Sequence, residues 1–181
     1  MLLDMSKMRV LLSEETIQKR VKDLGQEISK TYEDSDSDLI LVGVLKGCFL
    51  FLADLCRHIT VPHSVDFLGL SSYGESTKST GVVKITSDLT ISVHDKEVLI
   101  VEDIVDTGLT MKYLIENMRT RKPKSLRICS LLYKPENEKI HVDVDFLGFR
   151  IPDRFVFGYG LDLVEKFRNL PYIGYMDVLP V

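Results

Sequence analysis

At 181 residues, the chain is long enough for one domain with a sizeable hydrophobic core. Its composition, 45% hydrophobic and 28% charged, is that of an ordinary globular protein, and its net charge of −4 argues against non-specific binding to nucleic acid or to a membrane surface. No apolar stretch approaches the ~18 residues of a membrane span, and the N-terminus lacks the pattern of a signal peptide. The three cysteines, Cys48, Cys56 and Cys129, form no metal-binding motif, and we expect free thiols in a cytoplasmic protein.

The first predicted element is a helix that begins after Ser13. Serine is a favourable N-cap residue, and the two acids that follow it suit the first turn of a helix. Apolar residues at helical spacing then mark one buried face, at Ile17, Val21, Leu24 and Ile28. The acidic segment 33–38 lacks the glycine and the closing glutamate of a calcium-binding loop, so we interpret it as a solvated loop.

Strands and helices alternate along much of the remaining chain. The predicted strands lie at 39–45, 61–71, about 82–86, about 97–102, 126–132, 145–149 and 155–159. One predicted helix follows the first of these strands and ends at about His58, and another spans about 107–121. This alternation predicts an α/β fold with a parallel sheet flanked by helices. We expect one domain over 1–181, with a core at about 10–135 and a small hood over the strand ends, formed mainly by 140–181.

The most informative segment is 98–110, where an apolar strand ends in an acid pair and a small, hydroxyl-bearing turn. Ligands of open α/β sheets bind at the carboxyl ends of such strands. The turn from Asp106 through Thr107, Gly108 and Leu109 to Thr110 would present backbone N–H groups and two hydroxyls at a helix N-terminus, which suits a phosphate. The acids Glu102 and Asp103 would repel that phosphate unless a divalent cation or sugar hydroxyls lay between them. The segment therefore predicts a sugar phosphate bound with Mg²⁺.

Each part of this segment also has an ordinary structural explanation. Acids at strand ends are often solvated, and an aspartate before a helix is often an N-cap. The Asp-Thr-Gly of the turn, taken alone, would favour that explanation. Here the apolar strand, the acid pair and the hydroxyl turn occur together and in order, which favours a binding site.

The same segment resembles the signature with which type I phosphoribosyltransferases bind phosphoribosyl pyrophosphate (PRPP). Further segments occur in the order found in the hypoxanthine-guanine branch of that family, at 45–47, 72–73, Lys134, 148–162 and 167–168. The resemblance covers about residues 10–175. It implies the parallel-sheet core of that family with a small hood, transfer of ribose 5-phosphate from PRPP to a 6-oxopurine, Mg²⁺ as cofactor, and a homo-oligomer (dimer or tetramer) that binds neither nucleic acid nor membrane.

The reaction that the resemblance implies passes through an oxocarbenium-like state at the anomeric carbon of ribose. The turn 106–110 would hold the 5-phosphate, and Glu102 and Asp103 would accept from the ribose hydroxyls, directly or around Mg²⁺. The leaving pyrophosphate would be bound by Lys46, Gly47 and Arg168. Asp162 would join the acid pair as a metal-side carboxylate through water. The resemblance also implies a non-proline cis peptide at Lys46–Gly47.

The purine would be bound by Lys134, Phe155, Val156 and Asp162. Lys134 can donate to a 6-oxo group, and because an ammonium has no acceptor, a 6-amino group should be rejected. Phe155 could stack on the base while backbone groups of Val156 read its edge. Asp106 stands where the family has its proton acceptor and would take the purine N–H proton. Ser72 and Tyr73 open the polar loop 72–81, which would close as a lid and exclude water.

Alternatives remain at the level of single residues and of the whole protein. Taken singly, Lys46 and Arg168 are typical surface charges, and Phe155 is a typical core aromatic. A regulator that senses PRPP and acts on nucleic acid would need a basic face and would lack the proton acceptor, whereas this chain is acidic and has Asp106. A metal-dependent phosphate hydrolase would need a nucleophilic Asp-x-Asp after the first strand that follows the N-terminal helix, which instead runs into Lys46-Gly47.

Overall fold

The computed structural model describes residues 8–72 and 83–176. In these two ranges the chain forms the strands β1 (Met8–Leu12), β2 (Leu39–Leu45), β3 (His63–Ser72), β4 (Val83–Ser87), β5 (Glu97–Val105), β6 (Ser125–Tyr133), β7 (Phe146–Arg150), β8 (Val156–Phe157) and β9 (Ile173–Met176). The helices are α1 (Glu14–Tyr32), α2 (Phe49–Cys56) and α3 (Leu109–Thr120), and a short 3-10 helix spans Pro135–Asn137. None of the described helices is long and apolar enough to cross a membrane.

The main sheet has six strands in the order β4-β3-β2-β5-β6-β7. All its neighbours pair in parallel except β3 and β4, which are antiparallel. The predicted α/β fold with a parallel sheet is confirmed. The antiparallel pair was not predicted, and it follows from the short connection, because a parallel crossover needs about a dozen residues or more.

Side chains of the central strands alternate between two apolar layers, one on each face of the sheet. In β2, Leu39 and Leu41 pack in the layer that contains α1 and α2, whereas Ile40 and Val42 pack in the layer that contains α3. Burial on both faces explains why the strand is a continuous apolar run rather than an alternating one. The α1 prediction is confirmed: Ser13 accepts a hydrogen bond from Thr16 N, and the predicted apolar face is fully buried.

A second, small sheet is antiparallel and has the order β1-β9-β8. Neither β1 nor β9 was predicted. The N-terminal strand β1 pairs with β9 near the end of the described chain, with Met8 opposite Met176. The small sheet thus joins both ends of the described chain, while β7, from the C-terminal third, belongs to the main sheet. The division into one domain with a core and a hood stays a prediction.

One sequence-based expectation about the backbone is wrong. The non-proline cis peptide lies at Leu45–Lys46, one bond before the predicted Lys46–Gly47. It directly follows β2, at the carboxyl edge of the sheet.

Candidate functional site

The candidate site lies where three neighbouring parallel strands end. The strand β5 lies between β2 and β6, so the segments that follow these three strands meet at one edge of the sheet. The Lys134 N–H donates to Val105 O at 3.0 Å, which fixes the residue after β6 beside the turn after β5. Open α/β sheets usually bind their ligands at the carboxyl ends of the strands.

A cavity of about 510 Å³ opens at this edge. It brings together seven of the predicted site residues with five others, and its lining is Val44, Leu45, Lys46, Gly47, Leu70, Ser71, Glu102, Asp103, Thr110, Asp162, Glu165 and Arg168. The acid pair, the cations assigned to pyrophosphate and one hydroxyl of the phosphate turn therefore share one cavity. Lys134, Phe155 and Val156 are absent from the lining that the described residues form.

The acid pair is held in an environment that disfavours its charges. Glu102 is buried, and within the described ranges its Oε2 has no hydrogen-bond partner. Burial, and then the neighbouring charge of Asp103, raise the pKa of Glu102 well above its usual value. Burial also raises the pKa of Asp103 to about 6, against the opposing effects of the Ile104 N–H and the Arg168 guanidinium. Such a pair gains from a cation placed between it and a ligand.

The donor set fits a divalent cation that the ligand helps to hold. Among the described residues, no three acidic, histidine or cysteine side chains form a group ready to bind a metal. Mg²⁺, however, is usually held by one or two carboxylates together with substrate phosphates and water. The unpartnered Glu102 oxygen and the adjacent Asp103 provide such carboxylates. Asp162 is engaged already, because its Oδ2 accepts from Glu165 N at 2.8 Å and its Oδ1 lies 2.9 Å from Arg168 Nη2.

Two glycines allow three chain segments to approach at the cavity wall. A Cβ on Gly47 would lie 1.6 Å from Asp103 Oδ2, so any larger residue would force the Asp103 carboxylate or the loop after β2 to move. Gly160 has φ of +100°, and a Cβ there would lie 2.0 Å from Gly47 O. Gly47 therefore contacts both the end of β5 and the turn that precedes Asp162.

The predicted phosphate turn is built around Gly108, the N-cap of α3. Its φ of +79° is left-handed, and a Cβ would lie 2.0 Å from Ile140 O. The segment after β6 also anchors the turn from outside, because Lys139 N and Ile140 N donate to Thr107 O at 3.1 and 3.2 Å. These contacts fix the turn that begins α3, whose first N–H groups have no partner within the helix.

The basic side chains assigned to pyrophosphate are paired with acids of the same chain. Lys46 Nζ lies 3.0 Å from Glu165 Oε2. Arg168 donates to Gly160 O at 2.9 Å, and its Nη2 contacts Asp162 and, at 3.4 Å, Glu165. Glu165 was not predicted as a site residue. Its spacing of three residues from both Asp162 and Arg168 is the signal that could have indicated it.

A second group of polar side chains surrounds Lys134, which is only 7% exposed. Its Nζ lies 3.6 Å from Asp106 Oδ2 and 3.6 Å from Asp153 Oδ1. Asp153 was also not predicted, and Asn137 Nδ2 donates to it at 2.6 Å. The other oxygen of Asp106, Oδ1, is buried and has no partner within the described residues. The structure thus brings Asp106 and Lys134 together beside the phosphate turn.

The remaining predicted site residues differ in their surroundings. Phe155 is 43% exposed, so its ring is not a core aromatic, whereas Val156 is buried and pairs with Tyr175 in the small sheet. Ser72 ends β3, and Tyr73 and the rest of the predicted lid lie outside the described residues.

A mostly parallel sheet whose strand β5 carries a buried acid pair near its carboxyl end, followed by a glycine turn into α3, is typical of α/β proteins that bind a ligand at this edge. The model of the family described as the phosphoribosyl transferase domain matches residues 11–163. Over 166 residues, the chain is 52% identical to the hypoxanthine-guanine phosphoribosyltransferase of Bacillus subtilis. The alignment covers 92% of this chain and 91% of that protein. It is 49% identical over 170 residues to the hypoxanthine phosphoribosyltransferase of Escherichia coli, with 94% of this chain and 96% of that protein covered.

A solved structure gives the same result. The hypoxanthine phosphoribosyltransferase of Trypanosoma cruzi, in complex with the product IMP, has a TM-score of 0.85 and 39% identity over 92% of each chain. The chain therefore belongs to the phosphoribosyltransferase family, in the branch of the hypoxanthine and hypoxanthine-guanine phosphoribosyltransferases. The resemblance found in the sequence is confirmed, as is the family's core fold.

Proposed function

We propose that this chain is an enzyme of purine salvage that transfers ribose 5-phosphate from PRPP to hypoxanthine and guanine, which gives IMP and GMP and releases pyrophosphate. The observation that carries the proposal is the position of Lys134, a buried ammonium 3.6 Å from Asp106 Oδ2 beside the phosphate turn. Burying a lysine ammonium costs free energy unless the charge is paired with acids or with a ligand. The names of the relatives and the IMP bound to the Trypanosoma cruzi enzyme support the same reaction.

For the sugar phosphate, we propose that the turn Asp106–Thr110 binds the 5-phosphate through backbone N–H groups and the hydroxyls of Thr107 and Thr110. Helix N-termini bind anions because their first N–H groups are unpaired and the helix dipole is positive there. Glu102 and Asp103 would accept hydrogen bonds from the ribose hydroxyls. Gly108 and Leu109 would serve through the backbone alone, so the leucine side chain does not interfere.

For the leaving group, we propose Lys46, Gly47 and Arg168 as the pyrophosphate subsite and Mg²⁺ as the cofactor. When bound, Mg²⁺ would neutralise the pyrophosphate and favour its departure from the anomeric carbon. Glu102 and Asp103 would hold it, with Asp162 reaching it through water. Support comes from the unpartnered Glu102 oxygen and from the raised pKa of both acids, which an added cation would relieve.

For the base, we propose that Asp106 accepts the N–H proton of the purine as its ring nitrogen bonds to the anomeric carbon. Lys134 would donate to the 6-oxo group and so reject a 6-amino group. The exposed Phe155 would stack on the purine, with Val156 and Asp162 at its edge. Closure of a lid that begins at Ser72 and Tyr73 would exclude water, a role that rests on the sequence alone.

The substrates proposed as partners are small molecules, and the acidic composition supports neither nucleic acid nor membrane as a partner. The three free thiols support a location in the reducing cytoplasm. The family resemblance supports a homo-oligomer, a dimer or a tetramer.

The test is an assay of nucleotide formation with PRPP, MgCl₂ and each of hypoxanthine, guanine, xanthine and adenine, read by chromatography. The proposal expects IMP and GMP without AMP. Formation of AMP at a comparable rate would contradict the role of Lys134. Absence of product from every base, with PRPP binding retained, would favour a PRPP-sensing regulator instead.

A further inference from the structure

The cations assigned to the pyrophosphate subsite already share an anion. Glu165 Oε2 lies 3.0 Å from Lys46 Nζ and 3.4 Å from Arg168 Nη2, and all three residues line the cavity. A carboxylate oxygen that bridges an ammonium and a guanidinium occupies the kind of position that a phosphate oxygen would take. Glu165 has no role in the proposed transfer reaction.

The turn that carries Glu165 is held in an unusual backbone conformation. Val164, Glu165 and Phe167 have φ values of 53°, 58° and 67°, in the left-handed region that non-glycine residues avoid. Such residues persist only where their surroundings impose the conformation, and they cluster at functional sites. The Glu165 N–H is fixed by Asp162 Oδ2 at 2.8 Å, which directs the turn toward the cavity. The backbone position of Glu165 at the cavity is therefore specified by the fold, while its side chain stays free to move.

The charges around Glu165 would allow an anionic ligand to replace its carboxylate at Lys46 and Arg168. The Lys46 ammonium, and then the Arg168 guanidinium, hold the pKa of Glu165 below its usual value, so the side chain is an anion at neutral pH. Arg168 also contacts Gly160 O and Asp162 Oδ1, so Glu165 is not its only partner. The Lys46 and Glu165 side chains are each 68% exposed, so their pairing is weak enough to be broken by a more highly charged anion.

We propose that Glu165 is an internal competitor for the pyrophosphate subsite. Its carboxylate occupies Lys46 and Arg168 when the subsite lacks a diphosphate, and a diphosphate group displaces it on binding. The inference rests on the proposed function, because the competing ligand is the diphosphate of PRPP or the released pyrophosphate. A tethered anion that returns to the two cations lowers the affinity for the product and so favours its release.

The test measures binding of inorganic pyrophosphate in MgCl₂ by titration calorimetry to the full chain, the Glu165→Gln variant and the Glu116→Gln variant. Glu116 is the matched control, because it is an exposed acid of α3 in a weak pair with Lys112 at 4.0 Å. Since exposed ion pairs are weak, Glu165→Gln should tighten pyrophosphate binding by about two- to five-fold, and Glu116→Gln should leave it unchanged. Binding of ribose 5-phosphate, which lacks the diphosphate, should be equal in all three proteins.

Unchanged or weaker pyrophosphate binding in Glu165→Gln overturns the inference and leaves the proposed function intact. A gain that Glu116→Gln reproduces also overturns it, because the effect would then be one of overall charge. If the wild-type protein binds neither pyrophosphate nor PRPP, the proposed function fails together with the inference. Thermal unfolding of each variant shows whether the fold is retained.

Discussion

The Lys134 ammonium and the Asp106 carboxylate face each other at 3.6 Å, next to the turn that opens α3. The distance is within the range of an ion pair but longer than a good hydrogen bond. Lys134 is shared between Asp106 and Asp153 at equal distances, so neither acid holds it tightly. The two groups proposed to recognise and deprotonate the base are thus neighbours that a ligand can engage separately.

Replacing Lys134 with alanine should reduce use of hypoxanthine and guanine far more than affinity for PRPP. The loss removes a charged hydrogen bond to the 6-oxo group, which is worth about 1.5–3 kcal/mol, or roughly 10- to 150-fold in kcat/KM for the base. Steady-state kinetics with each base varied, and calorimetry with PRPP, check this. Lys139→Ala is the matched control, because Lys139 is an exposed lysine of the same segment. Equal losses for base and PRPP would contradict the assigned role.

Replacing Gly47 with alanine should disable the site without unfolding the protein. The new Cβ would lie 1.6 Å from Asp103 Oδ2, so the acid or the loop must move, and a shift of about 1 Å at a reacting site can cost ~10²-fold in rate. Turnover and thermal unfolding, measured together, separate the two effects. Gly174→Ala is the control in the small sheet, where the nearest atom is 3.3 Å away, and it should keep turnover. A Gly47→Ala variant with normal turnover would refute the close packing described for this wall.

Removing divalent cations should weaken PRPP binding selectively. Without a cation, nothing neutralises the pyrophosphate of PRPP beside the acid pair, and the negative charge carried by Asp103 repels it. In a thermal-shift measurement, PRPP should raise the unfolding temperature in MgCl₂ and raise it much less in EDTA. Ribose 5-phosphate lacks the pyrophosphate, and its smaller stabilisation should depend little on the cation. Equal stabilisation by PRPP in both buffers would argue against the proposed metal site.

Asp66 lies outside the lining of the candidate site and allows a test of the stability of the fold. Its Oδ2 accepts from Thr90 N at 2.7 Å and from Ile91 N at 2.8 Å, and its Oδ1 accepts from Phe67 N at 2.8 Å. Burial acts to raise the pKa of Asp66, but these hydrogen bonds outweigh it and lower the pKa below its usual value. Asp66→Asn should therefore lower the free energy of unfolding at pH 7 by about 1–3 kcal/mol.

The sign of the pH dependence follows from the lowered pKa. Stability from the Asp66 carboxylate is fully present above the unfolded pKa of about 3.9 and is lost as the pH falls through the lower folded value. The difference between wild type and Asp66→Asn in urea unfolding should thus be constant from pH 7 to about 5 and shrink below about 4. Asp143→Asn, at a side chain that is 99% exposed, should change little. A difference that grows on acidification would contradict the account.

Local patterns predicted the centre of the site, whereas distant pairings could not be predicted. The strand and the helix that flank the turn were predicted because the apolar run, the acids and the glycine are adjacent in sequence and each acts locally, but β5 ends at Val105, three residues later than predicted, so the acid pair lies within the strand. The partners Glu165 and Lys46 are separated by 119 residues, and only the tertiary fold brings them together. Asp153 likewise reaches Lys134 only through the segment between β7 and β8.

The missed strands have a similar cause. Within β1, Val10 is 55% exposed, so the strand carries little of the alternating burial that a sequence can reveal. Its pairing with Gly174 in β9 depends on a partner at the far end of the chain. Short edge strands of this kind are defined by their partners more than by their own residues.

Comparing PRPP binding with turnover in Asp106→Asn isolates the role of Asp106 as the proton acceptor. Asparagine keeps the shape of the turn but cannot accept the purine proton, and loss of a general base costs typically ~10²–10⁴-fold. We predict that the PRPP dissociation constant, measured by calorimetry in MgCl₂, stays near that of the wild-type protein while IMP formation falls by about that factor. Asp143→Asn should alter neither quantity. Undiminished IMP formation by Asp106→Asn would contradict the account, because the proton acceptor would then have to be another group.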